Sequence, residues 1–205
     1  MVGRFVHIEE VVSPILTAPT LIYMTNLEIL NLGQRITGVV ALGLITLQIY
    51  LGASQKKITF HKINGIFAYS FILIHPILFL LSRKITYNRL DFYYVFVDVC
   101  VLCGKVYDHL INFGRIAFIF VTIAVLAVKL RDYLPWFKTN WRKLHILNYF
   151  AFYFISVHSI SLGSDSRSSW FVIYFILCQL IVLYSIVRRL KTSGFVAKLK
   201  NKWGL

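Results

Sequence analysis

Five stretches of this chain, residues 36–53, 63–81, 116–130, 144–162 and 170–187, are long and apolar enough to cross a bilayer. Hydrocarbon offers a backbone no hydrogen-bond partner, so each must be a helix that satisfies its own N–H and C=O groups. A sixth stretch, 11–24, is weaker. It holds Pro14 and Pro19 and starts beside Glu9 and Glu10. We read it as the first span, with an interfacial helix as the alternative. Composition agrees: 58% of residues are hydrophobic and mean hydropathy is +0.71, against about 45–50% apolar residues in a soluble domain. The expected fold class is an all-α membrane protein, one six-transmembrane-helix bundle over residues 1–205. No leftover segment is long enough for a flavin or nicotinamide domain, and no G-x-G-x-x-G follows a strand-like run. Three cysteines are too few for a disulfide framework. No cleavable leader is evident, with only Arg4 before the first, interrupted apolar stretch.

Loop charge gives the orientation. With six spans, the N-terminus, the 54–62 loop, the 129–143 loop and the C-terminal tail share one side. They carry fifteen of the 22 Lys and Arg, and the other side carries seven. The expectation is a multi-pass protein of the cell membrane with both termini cytoplasmic. The net charge of +14 follows from these basic loops, so nucleic acid is not the expected partner; membrane lipid is.

Four histidines lie in or at the edge of two of these spans: His61 and His75 on the third, His145 and His158 on the fifth. A titratable ring in hydrocarbon is costly, so an intramembrane His points to function. Neutral imidazole is also the usual nitrogen ligand of haem iron. Within each span the rings are about 20 Å apart along the axis, which suits two haems stacked across a membrane. The third and fifth spans run in the same direction, so His61 and His145 share the inner level and His75 and His158 the outer. The alternative is four buried histidines in a haem-free transporter or proton pathway. On an ideal helix His75 returns to within about 40° of His61, whereas His158 falls about 140° from His145. That mismatch predicts a distortion, tight turn or kink between Asn148 and Val157, or a strong tilt with different ring approaches.

A repeat runs alongside. Gln34-Arg35-Ile36-Thr37 opens the second span and Gly114-Arg115-Ile116-Ala117 the fourth, each followed by a basic loop and a His-bearing span. Two similar hairpins are expected to face each other with haem between the third and fifth spans.

With His61-x13-His75, His145-x12-His158, Arg35 at the head of the second span, His75-Pro76, Trp141-Arg142-Lys143-Leu144-His145 and Tyr149, the chain resembles the ferric reductase-like transmembrane domain family over residues 34–190. That family includes ferric reductases, NADPH oxidases and the haem subunit of methionine sulfoxide reductase systems. The resemblance implies two haem b groups, one on His61 and His145 and one on His75 and His158. It implies electrons moving from a cytoplasmic donor to an outer-face acceptor. Complete members carry a following flavin and nicotinamide domain. Here the donor is expected to be a separate flavoprotein, a bound flavin or a quinol, with an outer-face redox partner as acceptor. A ferric or oxygen reductase membrane subunit, an oxidoreductase component, is the alternative within the same chemistry.

The resemblance places Arg35 near the outer haem, on a propionate or a reduced oxygen species; a snorkelling interfacial Arg is the other reading. Arg115 takes the matching repeat position with the same two readings. Lys62, Arg142 and Lys143 flank the inner ligands, where they meet inner propionates or a donor, or serve only the positive-inside bias. Phe67, Tyr69, Phe71, Phe150, Phe152 and Tyr153 lie between the two levels and are read mainly as packing, with some narrowing the tunnelling gap. Cys100 and Cys103 form a Cys-x-x-Cys in the outer loop, an oxidised pair or a thiol relay. Cys178 reads as core, and His7 and His109 as surface residues.

Overall fold

The computed structural model describes residues 25–54, 58–100 and 104–192. A capping box starts the first helix. The Glu28 carboxylate accepts from the Thr25 backbone N–H at 2.7 Å, and the Thr25 hydroxyl accepts from the Glu28 N–H at 3.3 Å. Seven helices follow: α1 (Asn26–Ser54), α2 (Ile58–Tyr87), α3 (Phe92–Phe96), α4 (Val106–Leu130), α5 (Pro135–His145), α6 (Leu147–Leu162) and α7 (Ser169–Thr192). Among the described residues there is no strand.

Helices α1, α2, α4 and α7 are long and apolar enough to span a membrane. Helix α6 is apolar but has 16 residues, a rise of about 24 Å where a full span takes about 20 residues. The stretch 11–24 lies outside the described residues. Four spanning helices are therefore seen where the hydropathy pattern predicts six. The predicted fifth span is divided: α5 ends at His145, Ile146 is a turn residue, and α6 starts at Leu147. The distortion sits at Ile146 and not between Asn148 and Val157, where α6 is continuous.

Helix α1 packs along α2 and against α7, and α4 packs along α6. Small side chains let α4 and α6 approach closely: Ala117, Ala124, Ala127 and Ala151 are all essentially inaccessible. By contrast α2 and α6 have scarcely any direct backbone approach. The core is built from Leu42, Ile45 and Ile49 of α1 with Ile72, Val121, Phe152 and Val182. Cys178 is a buried free thiol in the same core. On α7, Phe171, Cys178, Val182 and Ser185 face inward, while Ile173, Ile176, Leu180 and Leu183 are each at least half exposed. That outer stripe suits lipid, which penalises an exposed Ile or Leu no more than a core does.

One long-range ion pair ties the N-terminal part of α1 to the α6–α7 loop. Arg35 Nε donates to Asp165 Oδ2 at 3.1 Å, and Arg35 Nη2 pairs with Asp165 Oδ1. The Arg35 side chain is half exposed, which limits the gain to ~1 kcal/mol despite the bidentate geometry. Asp165→Asn is expected to lower the melting midpoint in detergent by roughly 3 °C for a chain of this size. A double-mutant cycle with Arg35→Gln checks that the loss belongs to the pair.

Candidate functional site

His61 and His75 of α2 meet His145 of α5 and His158 of α6 at two levels. The ring centres of His61 and His145 are 6.0 Å apart with planes at 73°; those of His75 and His158 are 6.4 Å apart at 89°. The structure thus brings together the same pairs that span direction suggests. His145 reaches the inner level from the last residue of α5, and His158 reaches the outer level from within α6. The turn at Ile146 separates them, so the angle expected for one straight helix does not apply.

Each ring is held by the helix behind it. His75 Nδ1 is 2.9 Å from the Gln34 carbonyl, His61 Nδ1 is 3.2 Å from the Gln48 carbonyl, and His158 Nδ1 is 3.1 Å from the Leu110 carbonyl. A carbonyl has no proton to give, so each Nδ1 carries the hydrogen and donates it. Each Nε2 then keeps its lone pair. His145 is set more loosely. The Asn148 side-chain amide nitrogen lies 3.3 Å from its Nδ1, and the Ala124 backbone is near it.

A glycine stands one helical turn after three of these four carbonyls. A Cβ on Gly38 would lie 3.0 Å from His75 Cε1, on Gly52 3.2 Å from His61 Cε1, and on Gly114 2.9 Å from His158 Cε1. The imidazoles therefore lie close against helix backbone, where a Cβ would force His158 to shift and would crowd His75 and His61. At the fourth position, four residues after Ala124, stands Val128, which matches the looser setting of His145. Gln34 and Gln48 are fourteen residues apart on α1, as are Leu110 and Ala124 on α4. Two hairpins of like design thus present four rings. Their register differs from the one the Arg35 and Arg115 motifs suggest: aligned on the rings, Gly38 matches Gly114, so Arg35 lies one turn further out than a counterpart of Arg115. This explains why Arg35 is half exposed at the surface while Arg115 is 3% exposed.

The inner pair carries an extra polar group. Gln48 Nε2 lies 3.1 Å from His61 Nε2, and Gln48 Oε1 accepts from Asn64 Nδ2 at 2.8 Å. Lys62 and Lys143 are exposed. The exposed Arg142 lies over the Trp141 ring, 5.5 Å from its centre, and the edge of Trp141 meets His145 with ring centres 6.2 Å apart. Between the two levels the fold buries Phe152 and half-buries Tyr69 and Phe71, while Phe67, Phe150 and Tyr153 face outward.

At the His75/His158 end, α3 packs against α2. Arg115 Nη1 donates to the Asp98 carbonyl and, at 2.7 Å, to Asn112 Oδ1. Asn112 Nδ2 donates to the Cys100 carbonyl at 2.6 Å. Arg115 thus anchors the outer loop, and Arg35 is held by Asp165. Cys100 is disulfide-bonded; Cys103 lies outside the described residues, as does His7. His109 is exposed.

Among the described residues no group of three or more His, Cys, Asp or Glu is placed to hold a metal ion. Each histidine pair offers two nitrogens, short of the four ligands of a protein-only zinc centre and equal to the two axial positions of a macrocyclic iron. Sequence patterns alone do not single out the supporting carbonyls, Gln48 or Asp165. The one available signal is the fourteen-residue spacing of Gly38 and Gly52, the same as that of His75 and His61. Comparison with family models, curated proteins and solved structures gives no match.

Proposed function

We propose that this chain is a transmembrane b-type cytochrome of the ferric reductase-like kind, passing electrons from a donor at the His61/His145 end, through two bis-histidine haems, to an acceptor at the His75/His158 end. The observation that carries it is the pair of His–His spacings, 6.0 and 6.4 Å, that α2 makes with His145 of α5 and His158 of α6. Two imidazoles bound on opposite sides of one first-row metal ion, each by a bond of about 2.0 Å, have ring centres roughly 6 Å apart. Haem supplies a one-electron carrier at each level. The protein's part is to fix the Nδ1–H tautomer of His61, His75 and His158 and to set those three rings against glycine. The two levels are about 20 Å apart, inside a hydrocarbon layer of about 30 Å. With both histidines of a pair holding one haem, no protein-free position would be left on the iron, and an acceptor at the His75/His158 end would be reduced at the haem edge or through a docked partner.

A haem-free proton or solute pathway is the second reading, and one observation favours it. The Gln48 amide touches His61 Nε2 and has to turn aside before that nitrogen can bind metal. Sealed vesicles containing the purified protein, with ferricyanide trapped inside and dithionite outside, separate the two. Electron transfer to trapped ferricyanide, absent with His75→Ala, is expected. Haem-loaded wild-type protein no faster than protein-free vesicles would refute transmembrane electron transfer.

A further inference from the structure

Arg115 is a buried charge that no carboxylate neutralises among the described residues. It is 3% exposed, and the ion pairs of the described arginines belong to Arg35, Arg83, Arg89 and Arg131. Its Nη1 is occupied by the Asp98 carbonyl and Asn112. Its Nε and Nη2 are buried and have no acceptor. An unpaired ion out of water costs several kcal/mol, so these N–H groups are unsatisfied where satisfaction is worth most.

A second guanidinium converges on the same place from the other hairpin. Arg83 of α2 lies 4.0 Å from the centre of the Tyr94 ring, and Arg115 of α4 lies 4.6 Å from it. Arg83 Nε is also buried without an acceptor. The Asp91 carboxylate is 3.7 Å from Arg83 and is shared with Arg89 at 3.5 Å. Asp108 accepts from the Tyr94 hydroxyl at 3.1 Å. Burial, then that bond to Asp108, push the Tyr94 hydroxyl above its usual range, so the ring between the two cations stays neutral and offers its face to both.

We propose that the free Nε/Nη2 edge of Arg115, with Arg83 beside it across Tyr94, binds a carboxylate between the outer ends of α2 and α4. The free edge selects the ligand class. Nε and Nη2 present two parallel N–H groups, the fork that fits the two oxygens of a carboxylate. The chain already uses that same edge once, in the Arg35–Asp165 pair. Two sources share this chemistry: a propionate of the outer haem, which rests on the function proposed above, and a free carboxylate arriving at the outer face, which does not.

Wild-type protein, Arg115→Gln, Arg115→Lys and Arg83→Gln distinguish them, with succinate as the probe anion. If a propionate sits there, Arg115→Gln lowers the outer haem's midpoint potential by at least about 59 mV, a tenfold shift in its one-electron equilibrium. Arg115→Lys then recovers part of it, and succinate has no effect. If a free anion sits there, succinate raises the wild-type melting temperature, and Arg115→Gln abolishes the rise. Should Arg115→Gln not fold, Arg115→Lys and Arg83→Gln take its place, each expected to weaken whichever effect the wild type shows. A two-haem protein whose potentials and succinate response are unchanged in all folded variants overturns the carboxylate site and leaves the cytochrome standing. A wild type without haem overturns the cytochrome alone if it responds to succinate, and both if it does not.

Discussion

Replacing His75 with alanine is expected to lower haem content from about two per chain to about one, with the remaining haem held at the inner level. His75 and His158 face each other at the outer level, and the inner pair is separated from them by about four helical turns. Without His75, His158 alone would hold a haem at that level, whereas His61 and His145 would still hold theirs together. The converse holds for His145→Ala, which is expected to remove the inner haem alone. Haem quantified against protein, together with the low-temperature spectrum of the reduced form, checks this. Loss of the inner haem with the outer retained in His75→Ala would mean that the rings pair diagonally, and the matched-depth arrangement would be wrong.

Gly114→Val is expected to remove or severely perturb the outer haem without touching any ligand. A Cβ at residue 114 would lie 2.9 Å from His158 Cε1, 3.0 Å from Nδ1 and 3.2 Å from Nε2. All three are atoms of a rigid ring whose Nδ1 is tied to the Leu110 carbonyl. The ring must leave that carbonyl or leave its position opposite His75. Overpacking of this sort costs about 1–3 kcal/mol even where nothing is ligated. The sign is diagnostic, because glycine in a helix interior is itself unfavourable by about 1 kcal/mol relative to alanine. A helix made intrinsically better that nevertheless loses haem points to the ring contact. Gly52→Ala is expected to be milder, since its Cβ meets His61 at 3.2 and 3.6 Å. Val128→Gly is expected to leave haem content unchanged. Two intact haems with an unaltered spectrum in folded Gly114→Val would show that the glycine cradle does not position His158.

Much of this arrangement is legible in the sequence, and the limits have physical causes. Hydropathy marks the apolar middle of α1, α2, α4 and α7, but the helices run further than the windows: α1 begins at Asn26, ten residues before its predicted span. Those extra turns are polar enough to escape a hydropathy window and are fixed by a capping box and by packing instead. The pairing of His61 with His145 follows from loop charge and span direction, because parallel helices put equal depths side by side. The break at Ile146 is misplaced by angle arithmetic, which assumes one continuous helix and assigns the mismatch to its middle.

The support of the rings is harder to read in advance. A backbone carbonyl has no residue signature, so Gln34, Gln48 and Leu110 look like any other helical positions. Only the glycine one turn later leaves a trace, and Gly38 directly follows, while Gly114 opens, a motif whose arginine draws more notice. Pairing those arginines by sequence puts the repeat four residues out of register. Arg35 meets Asp165, 130 residues away, and Arg83 meets Arg115 only through Tyr94 of α3. Contacts made by chain folding between distant loops carry no local periodicity, and the short α3 is too brief to signal its position over the outer end.

The decisive measurement is the reduced-minus-oxidised visible spectrum of the purified, folded protein, with haem counted per chain. Two facing imidazole pairs that each hold an iron give b-type bands at about two haems per chain. A folded protein that stays colourless after haem is supplied would contradict the cytochrome outright, and would leave the four histidines as polar groups satisfied by backbone carbonyls and Gln48.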